Sequence, residues 1–305
     1  MLRRNVGIID ISNFGKYICR GNGAHEFLDR IFANKIPEKI GASCLSPIIG
    51  KMGGISADAT ITKINDDTFW VVSSGAAEGF QQRFFNLIEL DEDTKFTSKT
   101  NDYCGFNVAG PKSRDLLQRL SNKDLSTEAW PFFKSGSLAI AGIECVALRV
   151  SFTGDLGWEL YCEEHDQLAL YEVLIKSASQ IGGGPVGSRA LMSLRLEKGY
   201  GSWGREYSPE YWPHEVGLER LISNKPDFIN KDKVTDVLSQ PAREKLVVLK
   251  LNEADVLRSN ADALGGEPIF KDGKGVGRVT SGGYGYSVDM SLALGFVKGL
   301  DSGEE

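Results

Sequence analysis

Apolar and polar residues alternate along several short stretches in the first two thirds of the chain, which predicts strands that bury one face. The predicted strands are Val6–Ser12, Lys16–Arg20, Ala59–Ile64, Thr68–Ser73, Lys95–Ser98, Tyr103–Ala109, a pair within Leu138–Val150 broken at Gly142, and Gly157–Cys162. Apolar residues three or four apart predict helices over Ala24–Ala33, Ala77–Leu90, Lys112–Leu120, His165–Ser179 and Ser188–Gly199. Strand pairs that alternate with helices predict an α+β fold.

A polar stretch with two prolines, Pro226 and Pro241, interrupts this pattern. Beyond it, short apolar runs separated by glycines are typical of a small β-barrel. The predicted barrel strands are Lys245–Leu251, Gly266–Phe270, Val276–Thr280 and Leu292–Val297. We therefore divide the chain into a region of two intertwined α+β subdomains (1–224), a crossing segment (225–242) and a C-terminal barrel domain (243–305), which ends in the acidic tail Asp301–Glu305.

Composition narrows the class of protein only a little. The 305 residues are 41% hydrophobic and 25% charged, with a formal net charge of −6, so nothing in the charge favours nucleic-acid binding. No apolar run approaches the ~18 residues of a membrane span. The five cysteines are scattered and lack paired spacing, and the three histidines suggest no metal site. We expect reduced thiols in a cytoplasmic protein.

Four glycine-containing stretches carry the candidate chemistry: Gly53–Ile61, Ser151–Tyr161, Ser193–Tyr207 and Gly277–Tyr284. The third begins as a helix, stops near Gly199 and continues into a loop that contains Trp203 and Gly204. A helix end, a tryptophan and an arginine placed together form a shelf suited to a flat, anionic ligand.

The four motifs, in this order, resemble the folate-dependent aminomethyltransferase family. The family includes the T-protein of the glycine cleavage system and the folate domains of dimethylglycine and sarcosine dehydrogenases. The resemblance extends from about Val6 to Val297. It implies a three-domain cloverleaf around a central folate channel, with tetrahydrofolate as the cofactor. Members usually carry further segments at both ends.

The resemblance assigns Asp58 and Glu159 the central roles. The residues from Thr153 to Glu159 match the family's T-G-x-x-G-W/V-E motif at each named position, which implies that Glu159 binds the pterin edge of folate. Asp58 follows a Gly-Gly turn and corresponds to the acid beside the folate amine. Its role would be electrostatic, stabilising positive charge and guiding a proton. From the residue types alone, an exposed strand acid is the more common interpretation of Glu159, and a turn or capping aspartate is a common interpretation of Asp58.

Four further residues are candidate folate contacts: Trp158, Arg195, Trp203 and Tyr284. Arg195 matches the arginine of the family's L-R-L-E helix, Trp203 is placed to stack on the ligand, and Tyr284 lies in the Gly-Gly-Tyr loop. Without the resemblance, Arg195 is equally an ion-pair residue, and the aromatic residues are equally core residues. Lys198-Gly199-Tyr200 lacks the thiol of the related iron–sulfur assembly proteins, and no dinucleotide-binding fingerprint is present.

The predicted function is tetrahydrofolate-dependent one-carbon transfer from an N-methyl amine to give 5,10-methylenetetrahydrofolate. The charged run after Trp203 favours the dehydrogenase-linked members. The expected partners are a small methyl amine donor and a flavoprotein oxidase or dehydrogenase, with no nucleic acid and no membrane. Three alternatives remain: a T-protein that needs a lipoylated carrier protein, a redox-free demethylase, and a folate-binding module without turnover.

Overall fold

The computed structural model describes residues 1–88, 93–252 and 261–299. Within them the α-helices are α1 (Ala24–Ile31), α2 (Glu78–Phe85), α3 (Ser113–Leu120), α4 (Gln167–Ser179), α5 (Ser188–Leu196) and α6 (Lys231–Leu238). The last two residues of the predicted helix Ala77–Leu90 and the whole of the tail Asp301–Glu305 lie outside the described residues. None of the helices in the described ranges is long and apolar enough to cross a membrane.

The strands form three sheets. The first sheet contains β1 (Gly7–Asp10), β7 (Tyr103–Ala109), β8 (Ser135–Ile140), β9 (Ile143–Leu148), β10 (Gly157–Glu163) and β11 (Gly184–Pro185), in the order β11-β1-β7-β10-β9-β8. The second contains β2 (Gly15–Arg20), β3 (Ser43–Ile49), β4 (Ile55–Asn65), β5 (Thr68–Ser73) and β6 (Lys95–Ser98), in the order β3-β4-β5-β2-β6. The third contains β12 (Lys245–Lys250), β13 (Pro268–Lys271), β14 (Lys274–Gly285) and β15 (Met290–Val297), in the order β12-β15-β14-β13.

The first two sheets stack face to face, and helices cover their outer faces. Side chains of α3 and α4 pack on the outer face of the first sheet, and those of α1 and α2 on the outer face of the second. A further apolar cluster joins the two inner faces, with Ile9, Leu148 and Tyr161 from the first sheet against Trp70 and Val72 from the second. The strands that carry Glu159 (β10) and Asp58 (β4) belong to the two sheets that this layer joins.

The α+β class and the barrel-type C-terminal region predicted from the sequence are confirmed. The strand β3 was missed, because Pro47 interrupts its alternation. Proline is tolerated there since β3 is at the edge of its sheet and need not donate on both sides. Strand β14 is longer than the predicted Val276–Thr280, because a bulge near Thr280 carries it onwards to Gly285.

Candidate functional site

The two candidate carboxylates lie on strands whose inner faces are turned towards each other. On β10, Trp158 and Leu160 belong to the outer core, the apolar cluster between a sheet and its covering helices. Glu159 and Tyr161 alternate with them and therefore face the inner layer between the two sheets. On β4, Ala57 and Ala59 belong to the outer core, so Asp58 faces the same layer from the opposite sheet. The alternation of each strand therefore directs both carboxylates into the layer between the sheets.

Glu159 is buried, with 6% of its surface exposed. Its Oε2 atom accepts a hydrogen bond of 2.8 Å from the hydroxyl of Tyr161, two residues along the same strand. Burial raises the pKa of the Glu159 carboxyl to about 7, and the Tyr161 hydrogen bond opposes this shift only in part. Near neutral pH, this carboxyl can therefore exist in either protonation state.

Asp58 is half-buried on the second sheet. Burial raises the pKa of its carboxyl to about 6. Tyr207 lies close enough for the Asp58 charge to add to the effect of burial, and together they raise the pKa of the Tyr207 hydroxyl to about 12. Among the described residues, neither Asp58 nor Glu159 forms a salt bridge. When either carboxyl is ionised, no salt bridge from the described residues neutralises its charge.

The loop after α5, residues 197–207 and called the Trp203 loop below, places Trp203 beside the strand that carries Asp58. The indole Nε1 atom of Trp203 donates a hydrogen bond of 3.1 Å to the carbonyl oxygen of Ser56, which is two residues before Asp58. The Trp203 ring is half-buried and lies 6.1 Å from the ring of Phe80, which is 39% exposed. Trp203 thus presents a half-buried aromatic surface beside the start of β4, the strand that carries Asp58, as a stacking role requires.

The Gly-Gly turn before β4 explains how this loop is held in place. A side chain on Gly54 would approach the carbonyl oxygen of Pro209 to 2.1 Å, so only glycine fits. The next residue, Ile55, donates a backbone hydrogen bond of 3.1 Å to the carbonyl oxygen of Tyr211. The start of β4 is therefore fastened to the segment that follows the Trp203 loop.

Arg195 is fully buried and bonded to other parts of the protein. Its guanidinium donates to Glu206 at 3.0 Å, to the carbonyl oxygen of Tyr200 at 2.8 Å and to the Ser281 hydroxyl at 2.7 Å. Burial alone would raise the pKa of Glu206, yet Arg195 and the hydroxyls of Ser281 and Thr280 hold it below its ordinary value. Arg195 thus joins α5, the Trp203 loop and β14, and offers a ligand no exposed surface.

Trp158 and Tyr284 both contact other parts of the protein. Trp158 has no exposed surface and sits in the outer core, because it alternates with Glu159 on β10. Its ring is 5.8 Å from the guanidinium groups of both Arg114 and Arg149. Tyr284 is half-buried on β14, and its hydroxyl donates a hydrogen bond to Asp289 in the following turn. A folate contact by Trp158 would require this core to open.

Two residues at the site were not identified from the sequence. Tyr161 donates a hydrogen bond to Glu159. Residues two apart on a strand lie on the same face, so the alternation of β10 could have identified Tyr161 from the sequence. Tyr207 is near Asp58, but it reaches that position through the fold of the loop after α5, for which the sequence offers no periodic pattern.

Two stacked sheets with inward-facing acids, an aromatic loop at one edge and a C-terminal barrel-type region define a domain of the aminomethyltransferase type. The GCVT N-terminal domain matches residues 1–225, and the glycine cleavage T-protein C-terminal barrel domain matches residues 245–305. The chain belongs to the glycine cleavage T-protein family.

Relatives of two kinds are similar to this chain. Mouse mitochondrial dimethylglycine dehydrogenase is 36% identical over 298 residues, covering 96% of this chain but 34% of its own length. The aminomethyltransferase of Halothermothrix orenii is 28% identical over 301 residues, covering 97% of this chain and 81% of its own length. The chain thus spans about a third of the dehydrogenase and most of the transferase.

The fold agrees with a solved structure. The crystal structure of glycine cleavage system aminomethyltransferase T from Bartonella henselae superimposes with a TM-score of 0.86 at 23% identity, covering 97% of this chain and 79% of that one. At this identity the likeness establishes the fold alone.

Proposed function

We propose that this chain transfers a one-carbon unit to tetrahydrofolate. An iminium derived from an N-methyl amine would lose its methylene group to the two folate amines, which yields 5,10-methylenetetrahydrofolate, the demethylated amine and one proton. The observation that carries this proposal is the pair of inward-facing carboxylates, Asp58 and Glu159, on opposite sheets. The similarity to dimethylglycine dehydrogenase supports this donor class over the others.

The residues present suit tetrahydrofolate in their chemistry. Its pterin edge is rich in hydrogen-bond donors, and a buried carboxylate such as Glu159 is an acceptor that matches it. Trp203 offers a flat aromatic surface beside the start of β4, the strand that carries Asp58. Tetrahydrofolate supplies the nucleophilic amines of the reaction, and the protein supplies orientation and electrostatics.

Asp58 is the residue we assign to the chemical step. An ionised carboxylate in a layer shielded from water stabilises a cationic iminium more strongly than it would in bulk solvent. With its pKa raised to about 6, Asp58 is mostly ionised at neutral pH, yet it is basic enough to accept a proton released by an attacking amine.

The first experiment is a calorimetric titration of the purified chain with tetrahydrofolate. We expect binding with one site per chain. The chain is then assayed with dimethylglycine and sarcosine, alone and with a separate flavoprotein dehydrogenase. We expect amine oxidation only with the flavoprotein, and formation of 5,10-methylenetetrahydrofolate above the uncatalysed background only when this chain is added.

Other outcomes distinguish the alternatives. Failure to bind tetrahydrofolate contradicts every folate-dependent function. Transfer that requires a lipoylated carrier protein favours the glycine cleavage reaction, and methyl transfer from a sulfonium or betaine favours a redox-free demethylase. Tight folate binding without turnover under any pairing favours a binding module.

A further inference from the structure

Arg3 bridges two segments that meet beside the candidate site. It lies in the first turn of the chain, directly before β1, and 14% of its side chain is exposed. Nη1 donates to the carbonyl oxygen of Thr153 at 2.5 Å and to the carboxylate of Asp155 at 2.6 Å. Nε donates to the carboxylate of Glu197 at 2.8 Å, and Nη2 to the carbonyl oxygen of Leu194 at 2.8 Å. One planar guanidinium therefore holds the loop before β10 and the end of α5 together.

The connection continues from α5 into the C-terminal sheet. The Glu197 side chain is 4% exposed, and its second carboxylate oxygen accepts a hydrogen bond of 2.9 Å from the backbone of Ser287. Ser287 lies in the turn between β14 and β15. Arg3 and Glu197 thus link the first sheet, α5 and the C-terminal sheet in series.

The loop that Arg3 holds also leads to Glu159. Asp155 precedes Glu159 by four residues, and the Thr153 hydroxyl lies 2.8 Å from that of Ser151. Ser151 in turn donates at 2.9 Å to Asn107, the residue paired with Glu159 across the sheet. The loop is therefore connected to Glu159 in two ways: through the chain from Asp155, and through the hydrogen bonds that lead from Thr153 to Asn107 on the neighbouring strand.

We propose that Arg3 is a positioning residue that fixes Glu159 relative to α5 and the C-terminal sheet. Without the guanidinium, the carboxylates of Asp155 and Glu197 would lie close together without a shared cation, and their repulsion would separate the loop from α5. Lysine retains the charge but lacks the planar set of donors needed to hold both carboxylates and two carbonyl oxygens. The inference rests on the proposed function insofar as Glu159 binds tetrahydrofolate.

The test compares Arg3→Gln and Arg3→Lys with the matched control Arg4→Gln, since Arg4 lies in the same turn but is exposed. Hydrogen exchange is measured by mass spectrometry for all four proteins, and tetrahydrofolate affinity by calorimetry. In Arg3→Gln we expect faster exchange within 153–157 and 284–289 but not in the second sheet, together with about tenfold weaker binding, the scale of one charge-assisted hydrogen bond. We expect Arg3→Lys to be intermediate and Arg4→Gln to match the wild type.

The outcomes separate this inference from the proposed function. Unchanged exchange at 153–157 in Arg3→Gln overturns it, as does faster exchange with unchanged tetrahydrofolate affinity. If Arg3→Gln does not fold, Asp155→Ala replaces it, because that change removes the charged part of the link to the loop and leaves the bonds of Arg3 to Thr153 and α5 in place. Unchanged exchange at 153–157, or faster exchange with unchanged tetrahydrofolate affinity, would overturn the inference in that variant as well. If the wild type does not bind tetrahydrofolate, the proposed function fails, and the exchange pattern alone decides whether Arg3 fixes the strand.

Discussion

Buried charge has different surroundings in two neighbouring regions of this molecule. Where α5 meets the Trp203 loop and β14, Arg195 and Glu206 are both fully buried, and each is bonded to the other and to further polar groups. In the layer between the two sheets, Glu159 is buried and Asp58 half-buried, but no salt bridge to either occurs in the described ranges. A compensated charge maintains the architecture, whereas an uncompensated one is available to a ligand.

The strongest test of this contrast is Arg195→Ala. Removing one partner of a buried pair leaves Glu206 charged and unpaired, so we expect a loss of about 3–5 kcal/mol in the free energy of unfolding. Urea denaturation measures it, with Arg189→Ala as the control, because Arg189 is exposed on the same helix. If the variant is stable but loses tetrahydrofolate affinity, Arg195 binds the ligand and its role is not mainly structural.

The opposite behaviour is expected of Asp58→Asn. Asparagine keeps the shape of the side chain and removes its charge, so the fold should be retained and tetrahydrofolate binding should be nearly unchanged. The rate of carbon transfer should fall by about 10²-fold or more, the scale of a lost charge-stabilising or acid–base group. Single-turnover assays measure the rate, with the exposed turn residue in Asp66→Asn as the control. Transfer at the wild-type rate would make Asp58 a structural residue.

Glu159→Gln should affect binding rather than the chemical step. We expect tetrahydrofolate affinity to weaken by about 1–3 kcal/mol, the cost of a lost charge-assisted hydrogen bond. Calorimetry measures the change, and circular dichroism confirms the fold. The control is Glu163→Gln, on the same strand but exposed. Equal affinities for Glu159→Gln and the wild type would remove Glu159 from the binding site.

The two uncompensated carboxylates should also make stability depend on pH. Their pKa values, about 7 for Glu159 and about 6 for Asp58, lie above those of the unfolded chain, so the folded state binds more protons between about pH 4 and 7. The free energy of unfolding should therefore decrease as pH rises through this range, by about 2–3 kcal/mol per group. Urea denaturation at pH 5 and 7.5 tests this, and Glu159→Gln should flatten the upper part of the curve. The same slope in wild type and variant would contradict a raised pKa at Glu159.

Alternation along the strands accounts for the part of the site that was predictable. The positions of Glu159 and Asp58 follow from their apolar neighbours Trp158, Leu160, Ala57 and Ala59, because a strand turns successive side chains to opposite faces. The same rule places Trp158 in the outer core, opposite to Glu159. The family motif contains both Trp158 and Glu159 and does not show which of them faces the inner layer. The alternation of the strand shows that Glu159 does.

Local periodicity was enough to predict the α+β class, most of the strands and helices, and the strand faces on which Glu159 and Asp58 lie. The three-dimensional packing was needed to find that Arg195 pairs with Glu206, that Tyr207 lies near Asp58, and that Arg3 meets Asp155 and Glu197 across more than 150 residues of chain. Such contacts join segments far apart in the chain, and whether a charge is neutralised depends on which groups the packing of sheets and helices brings together.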